Sequence, residues 1–97
     1  MAGEKILVVD DEEMIRDLCS HILSAEGYHV TTVPNAAAAL EDLGRSAANL
    51  MITDIKMPGM DGLELFERVK SLNLDLVTIF ITGHGTLDTA IESLMRG

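Results

Sequence analysis

Four short runs of strand-forming residues, separated by segments with apolar residues at helical spacing, constrain what this chain can fold into. The runs cover residues 5–9, 28–33, 50–53 and 76–81 and are rich in β-branched side chains. The first is apolar without interruption after Lys5, which is typical of a strand covered on both faces of a parallel sheet. Neighbouring parallel strands need a crossover connection, usually a helix. The pattern therefore predicts an α/β fold with a mostly parallel sheet and right-handed crossovers.

Start and stop signals divide the intervening segments into helices. The first helix is predicted to begin at Glu12 and to end at Gly27. Asn35 should cap the second helix, Gly44 should end it, and Asp61 resembles the cap of a third. The apolar positions that recur in the first helix are Ile15, Leu18, Cys19 and Ile22. We expect Cys19, on this stripe, to be a small core residue.

Length, charge and cysteine content exclude several classes of protein. Ninety-seven residues suit one domain, residues 1–97. Acidic residues outnumber basic ones 16 to 7, and the net charge of −9 repels the phosphates of nucleic acids and anionic membranes. No apolar stretch approaches the roughly 20 residues of a membrane helix. The lone Cys19 cannot form an internal disulfide, so we expect a cytoplasmic protein. From the charge and the lack of a long apolar stretch we expect no direct contact with nucleic acid or a membrane.

Three carboxylates follow two of the apolar runs. Asp10 and Asp11 come directly after the first run, and Asp54 follows the third. Open α/β sheets form their sites outside the carboxyl ends of their strands, so these acids should converge in one crevice. Like charges at close range are costly unless a cation or a proton neutralises them. Taken alone, Asp10 and Asp11 also fit surface acids that cap a helix, but Asp54 beside them favours a cation site.

Three motifs in order resemble the receiver domain of bacterial response regulators. They are Val9-Asp10-Asp11, the stretch Asp54-Ile55-Lys56-Met57-Pro58-Gly59-Met60-Asp61-Gly62, and Phe80-Ile81-Thr82-Gly83. The resemblance covers essentially the whole chain. It implies a flavodoxin-like three-layer sandwich with strand order 2-1-3-4 for the strands present. The string Thr82-Gly83-His84-Gly85-Thr86 also resembles receivers fused to ATPase-type transcription activators.

The resemblance assigns roles to individual residues. Asp54 would be the phosphoacceptor, taking a phosphoryl group from the histidine of a partner kinase, and Thr82 would sense the phosphoryl oxygen through its hydroxyl. Mg²⁺ would be bound by Asp11, Asp54 and the backbone carbonyl of Lys56, with Asp10 acting mainly through water. Mg²⁺ suits such oxygen ligands and keeps several waters. The chain would then be a signalling module and not an enzyme.

The chain also departs from the family pattern. A complete receiver has strand order 2-1-3-4-5, with a phosphoryl-binding lysine at the end of the fifth strand, and the fifth strand and fifth helix are missing here. We therefore expect an incomplete receiver, separated from its C-terminal effector domain, with weakened or abolished phosphorylation. The run 77–81 would form a sheet edge, which favours self-association through this fourth strand or through a fourth helix over 87–96.

Two other functions remain open from the residues alone. A Mg²⁺-dependent phosphohydrolase would share the acid cluster and use Asp54 as its nucleophile, but Lys56 stands where such an enzyme has a second catalytic acid. A phosphorylation-independent interaction or dimerisation module is favoured by the missing lysine.

Overall fold

Four strands and three helices alternate along residues 3–81, the part of the chain that the computed structural model describes. In chain order they are β1 (Lys5–Val9), α1 (Glu13–Ala25), β2 (His29–Val33), α2 (Ala36–Arg45), β3 (Leu50–Asp54), α3 (Gly62–Ser71) and β4 (Val77–Ile81). The four predicted strands and the first three predicted helices are confirmed. Within this range no helix has the length and apolar character to cross a membrane. Thr82 and the predicted helix over 87–96 lie outside the described residues.

The strands form one parallel sheet in the predicted order, β2-β1-β3-β4. β1 lies inside the sheet and is hydrogen-bonded to both β2 and β3. Val9, the last residue of β1, pairs with Thr53 of β3. The residues that follow this pair, Asp10 and Asp54, therefore lie side by side at the carboxyl edge of the sheet. The register of β1 against β3 thus positions the candidate site.

Helices cover both faces of the sheet and give three layers. The main core lies on the side of α2 and α3. Its buried residues include Leu7, Val9, Val33, Ala36, Ala39, Leu43, Met51, Leu65 and Val69. Side chains alternate along a strand, so Ile6 and Val8 point to the opposite face, where they are also buried. On that face α1 packs against β1 and β2.

Side-chain caps begin α2 and α3, as predicted. Asn35 Oδ1 accepts a hydrogen bond of 2.8 Å from the backbone N–H of Ala38. Asp61 Oδ1 accepts one of the same length from the backbone N–H of Glu64. Each cap satisfies a donor that the first turn of a helix leaves unpaired.

Gly44 does not end α2, contrary to the prediction. The helix ends at Arg45, and the C-cap residue Ser46 has an extended backbone. A glycine weakens a helix by only about 1 kcal/mol relative to alanine, so it can be accommodated in a last turn. The helix ends where the chain must extend towards β3.

The apolar stripe of α1 is only partly covered. No residue of α1 is buried, and Leu18 and Ile22 are 54% and 53% exposed. Cys19 is half-buried, so the prediction that it is a core residue is wrong. Helical periodicity identifies residues that share a face, but it does not reveal how completely another element covers that face.

Candidate functional site

Three carboxylates meet at the carboxyl edge of the sheet, as predicted. Asp10 and Asp11 follow β1, and Asp54 is the last residue of β3. One carboxylate oxygen from each residue lies within 4.8 Å of the other two. Asp10 and Asp54 are 0% and 1% exposed, whereas Asp11 is exposed. The cluster therefore has two buried members and one on the solvent side.

The buried oxygens of this cluster have few partners. Asp10 Oδ1 accepts a hydrogen bond of 2.9 Å from the backbone N–H of Glu12. Asp10 Oδ2 and both carboxylate oxygens of Asp54 are buried without a hydrogen-bond partner among the described residues. Leaving charged oxygens buried and unpaired is costly, and such groups usually coordinate a metal or a counter-charge. Hard cations such as Mg²⁺ prefer carboxylate oxygens, so the residues present fit Mg²⁺.

Electrostatics at the cluster oppose ionisation of Asp10. Burial raises the pKa of its carboxyl above the ordinary value of 3.8. The backbone N–H of Glu12 works in the other direction, because its hydrogen bond stabilises the carboxylate. The charges of Asp54, Asp11 and Glu12 raise the pKa of Asp10 further. A cation bound between these groups would offset the same repulsion.

Arg16 holds the backbone that carries the acid pair. Its Nη1 donates a hydrogen bond of 2.8 Å to the backbone carbonyl of Asp10, and its own N–H donates to the carbonyl of Glu12 at 3.1 Å. Arg16 was not among the residues predicted from the sequence. A basic residue in the first turns of a helix that follows an acid pair is a weak signal. Its partner is a main-chain atom, which no residue pattern reveals.

The loop over residues 55–61 folds back onto the end of β3. The backbone N–H of Gly62 donates a hydrogen bond of 2.8 Å to the carbonyl of Ile55. Lys56 lies in this loop and lines an open cavity together with Asp11. Lys56 is thus close to the exposed member of the cluster. The use of its backbone carbonyl as a metal ligand stays a prediction.

Comparison with known proteins shows the family. Residues 6–97 match the response regulator receiver domain. The chain belongs to this family of receiver domains. It is 38% identical over 97 residues to sporulation initiation phosphotransferase F of Bacillus subtilis, covering 100% of this chain and 78% of that protein. It is 35% identical over 96 residues to the C4-dicarboxylate transport transcriptional regulatory protein DctD of Rhizobium meliloti, covering 99% of this chain and 21% of DctD.

A solved receiver-containing structure has the same fold. The crystal structure of NtrX from Brucella abortus matches this receiver domain with a TM-score of 0.83 and 41% sequence identity. The match covers 100% of this chain and 22% of that chain. The predicted receiver fold is confirmed. The receiver domain spans about a fifth of the length of DctD and of NtrX.

The expected phosphoryl sensor, Thr82, lies outside the described residues of this receiver domain. Its neighbour Ile81 ends β4, and the carbonyl of Ile81 accepts a hydrogen bond of 3.1 Å from the backbone N–H of Ile55. β4 therefore ends beside the residue that follows Asp54. Thr82 directly succeeds this point in the sequence, and its sensing role stays a prediction.

Proposed function

We propose that this receiver domain accepts a phosphoryl group from a histidine kinase on Asp54, with Mg²⁺ bound at the acidic cluster. The direct ligands would be Asp11, Asp54 and the backbone carbonyl of Lys56, with Asp10 acting mainly through water. The observation that carries the proposal is the Asp54 carboxylate, which is buried beside two other acids with neither oxygen hydrogen-bonded within the described residues. Receiver domains generally bind Mg²⁺ at an acidic pocket.

The proposed step is a transfer between histidine and aspartate. An oxygen of Asp54 attacks the phosphorus, and the bond from phosphorus to the kinase imidazole nitrogen breaks. The imidazole keeps the electron pair of that bond, and the product is an acyl phosphate on Asp54. Carboxylates are competent nucleophiles of this kind. When bound by these acids, Mg²⁺ would neutralise the negative charge that gathers on the transferred phosphoryl group.

Asp54 is prepared for this role by its surroundings. Its oxygens are not engaged by donors in the described part of the chain, so their lone pairs remain available to a cation or to phosphorus. The backbone of Asp54 is fixed by its place at the end of β3, where it pairs with Ile81. Thr82 would then offer its hydroxyl to the phosphoryl oxygens and couple the modification to the shape of its loop.

We also propose how the module is used. Relatives such as DctD are named transcriptional regulatory proteins, and we infer that this receiver domain controls an attached or separate effector in the cytoplasm. The acidic surface, with a net charge of −9, disfavours direct contact of the domain with nucleic acid or an anionic membrane. The output would therefore be conformational.

Acetyl phosphate with Mg²⁺ tests the phosphoacceptor directly. In a receiver that includes the phosphoryl-binding lysine of the family, we expect one hydroxylamine-sensitive phosphoryl group per chain by intact-mass measurement, lost in Asp54→Ala and in the presence of EDTA. Without that lysine, the reaction should be weakened or absent. Asp75→Ala is the matched control, because Asp75 is exposed and precedes β4 at the opposite end of the sheet. This variant should be phosphorylated to the same extent as the unsubstituted protein.

The other outcomes favour the alternative functions. Continuous phosphate release that depends on Asp54 would indicate a phosphohydrolase. Absence of any reaction in a folded receiver that includes the phosphoryl-binding lysine would contradict the phosphoacceptor proposal and favour an interaction module. Val77 lies on β4, an outer strand of the sheet formed by the described residues, and its side chain is 63% exposed. This is the observation that favours the second candidate.

A further inference from the structure

The start of α3 rests on the backbone of the proposed phosphoacceptor. Gly62 is the first residue of α3, and a Cβ added to it would overlap the carbonyl oxygen of Asp54. The same Cβ would lie 3.0 Å from the carbonyl carbon of Asp54 and 3.1 Å from Ile55 Cα. These neighbours are main-chain atoms of β3 and of the loop after it, so they cannot turn aside as a flexible side chain could.

Close approach, and not an unusual backbone angle, explains this glycine. Among residues 3–81, the glycines with positive φ are Gly3, Gly27 and Gly59, and Gly62 is not one of them. An alanine at position 62 would therefore suit the helix itself. The cost would arise only from contact with the peptide that joins Asp54 to Ile55.

Two hydrogen bonds hold this peptide and the one that follows it. The N–H of Gly62 donates a hydrogen bond of 2.8 Å to the carbonyl of Ile55, which closes the loop over residues 55–61 at its base. Thr53 Oγ1 donates one of 3.0 Å to the carbonyl of Asp54. The carbonyl of Asp54 is thus held between Thr53 and the start of α3.

We propose that Gly62 is a positioning residue, whose missing side chain lets α3 fix both Asp54 and the loop that carries Lys56. The inference rests on the proposed function of this site. A side chain at position 62 would force either α3 away from β3 or the Asp54–Ile55 peptide out of its plane. Each movement displaces a proposed ligand relative to Asp10 and Asp11.

Gly62→Ala tests this proposal, with Gly44→Ala as the matched control. Gly44 is also a helical glycine, but a Cβ there would meet nothing within 4 Å. Mn²⁺ affinity, measured by electron paramagnetic resonance, and the rate of modification by acetyl phosphate are compared below the melting temperature. For Gly62→Ala we expect both to fall about 10-fold or more, since small displacements of reacting groups are costly. For Gly44→Ala we expect both to stay within about two-fold, because surface changes of this kind are usually mild.

The outcomes separate this proposal from the proposed function. If Gly62→Ala only lowers the melting temperature, with metal affinity and rate unchanged in the folded state, the positioning role is overturned and the phosphoacceptor proposal stands. If the unsubstituted protein, in a form that includes the phosphoryl-binding lysine, binds Mn²⁺ but is not phosphorylated, the phosphoacceptor proposal fails. The ratio of Mn²⁺ affinities between Gly62→Ala and the unsubstituted protein then decides the positioning role alone. If the unsubstituted protein binds no Mn²⁺, both proposals are overturned.

Hydrogen exchange covers the case in which Gly62→Ala does not fold. In the unsubstituted protein the Gly62 amide should exchange slowly, at a rate comparable to that of the β3 amides, because it donates a hydrogen bond to the carbonyl of Ile55. Exchange as fast as that of an unstructured amide would show that the start of α3 does not hold the backbone at the end of β3, and it would overturn the proposal.

Discussion

Asp10 is the residue at which burial and charge conflict most strongly. Its side chain is 0% exposed, and Asp54 and Asp11 lie beside it. Burial comes first among the causes that raise its pKa, ahead of the charges of these neighbours. A carboxylate kept in such a place costs stability in the metal-free protein and becomes favourable once a cation is bound.

Asp10→Asn should therefore stabilise the metal-free protein and weaken its metal binding. Asparagine keeps the oxygen that accepts from the N–H of Glu12 and removes the negative charge. Relief of an unpaired buried group predicts a gain of about 1–3 kcal/mol in the free energy of unfolding at neutral pH. Thermal unfolding in EDTA and in Mg²⁺ measures both effects. A variant that is less stable in EDTA than the unsubstituted protein would contradict the prediction.

The same residue predicts a pH dependence. The folded-state pKa of Asp10 is raised, so the folded protein binds its proton more readily than the unfolded chain does. The contribution of Asp10 to stability is complete below its ordinary pKa of 3.8 and is lost as the pH rises through the raised value. In EDTA this contribution should grow as the pH falls from neutral, and Asp10→Asn should remove it. Identical pH profiles for the two proteins would count against the account.

Unequal burial of the helices is the main feature at the scale of elements. Leu65 in α3 is 0% exposed, whereas Leu18 in α1 is 54% exposed. Leu65→Ala should cost about 2–5 kcal/mol in the free energy of unfolding, the usual range for a buried leucine. Leu18→Ala should stay within about 0.5 kcal/mol, as surface changes do. Urea denaturation of both variants measures the difference, and equal losses would show that α1 is covered as well as α3.

Among the features of the helices, the N-terminal caps were the most predictable from the sequence. The caps Asn35 and Asp61 are confirmed, because a cap is a contact between residues three positions apart. Gly44 as the end of α2 is wrong, because a glycine permits a helix end without requiring one. The exposure of Leu18 was not predictable, because it depends on what packs against α1 and not on the sequence of α1 itself.

At the scale of the whole molecule, the described sheet has β2 and β4 as its outer strands. Unpaired strand edges with apolar side chains promote association between chains. Val77 of β4 is 63% exposed, and we expect the sedimentation coefficient of the chain to rise with its concentration. Val77→Lys should reduce this rise, since lysine on an edge strand opposes pairing. A monomer that sediments identically at all concentrations would contradict the expectation of self-association.

The three acids of the candidate site were predictable from the sequence because each lies at the end of a predicted strand. Asp10, Asp11 and Asp54 converge because the parallel register pairs Val9 with Thr53. The parallel sheet was predicted from the βα pattern, and the strand order from the resemblance to receiver domains. The contacts of Arg16 and Gly62 were not predictable. Each meets a main-chain carbonyl that only the packing of a helix on the sheet brings near.

The central claim is that three carboxylates from two strand ends share one magnesium ion. A Mg²⁺ titration followed by the amide resonances of the ¹⁵N-labelled protein tests it most directly. The account predicts saturable shifts centred on Asp10, Asp11, Asp54 and Lys56, which Asp54→Asn weakens. Resonances at these positions that stay unchanged throughout the titration, in a chain that is folded, would contradict it.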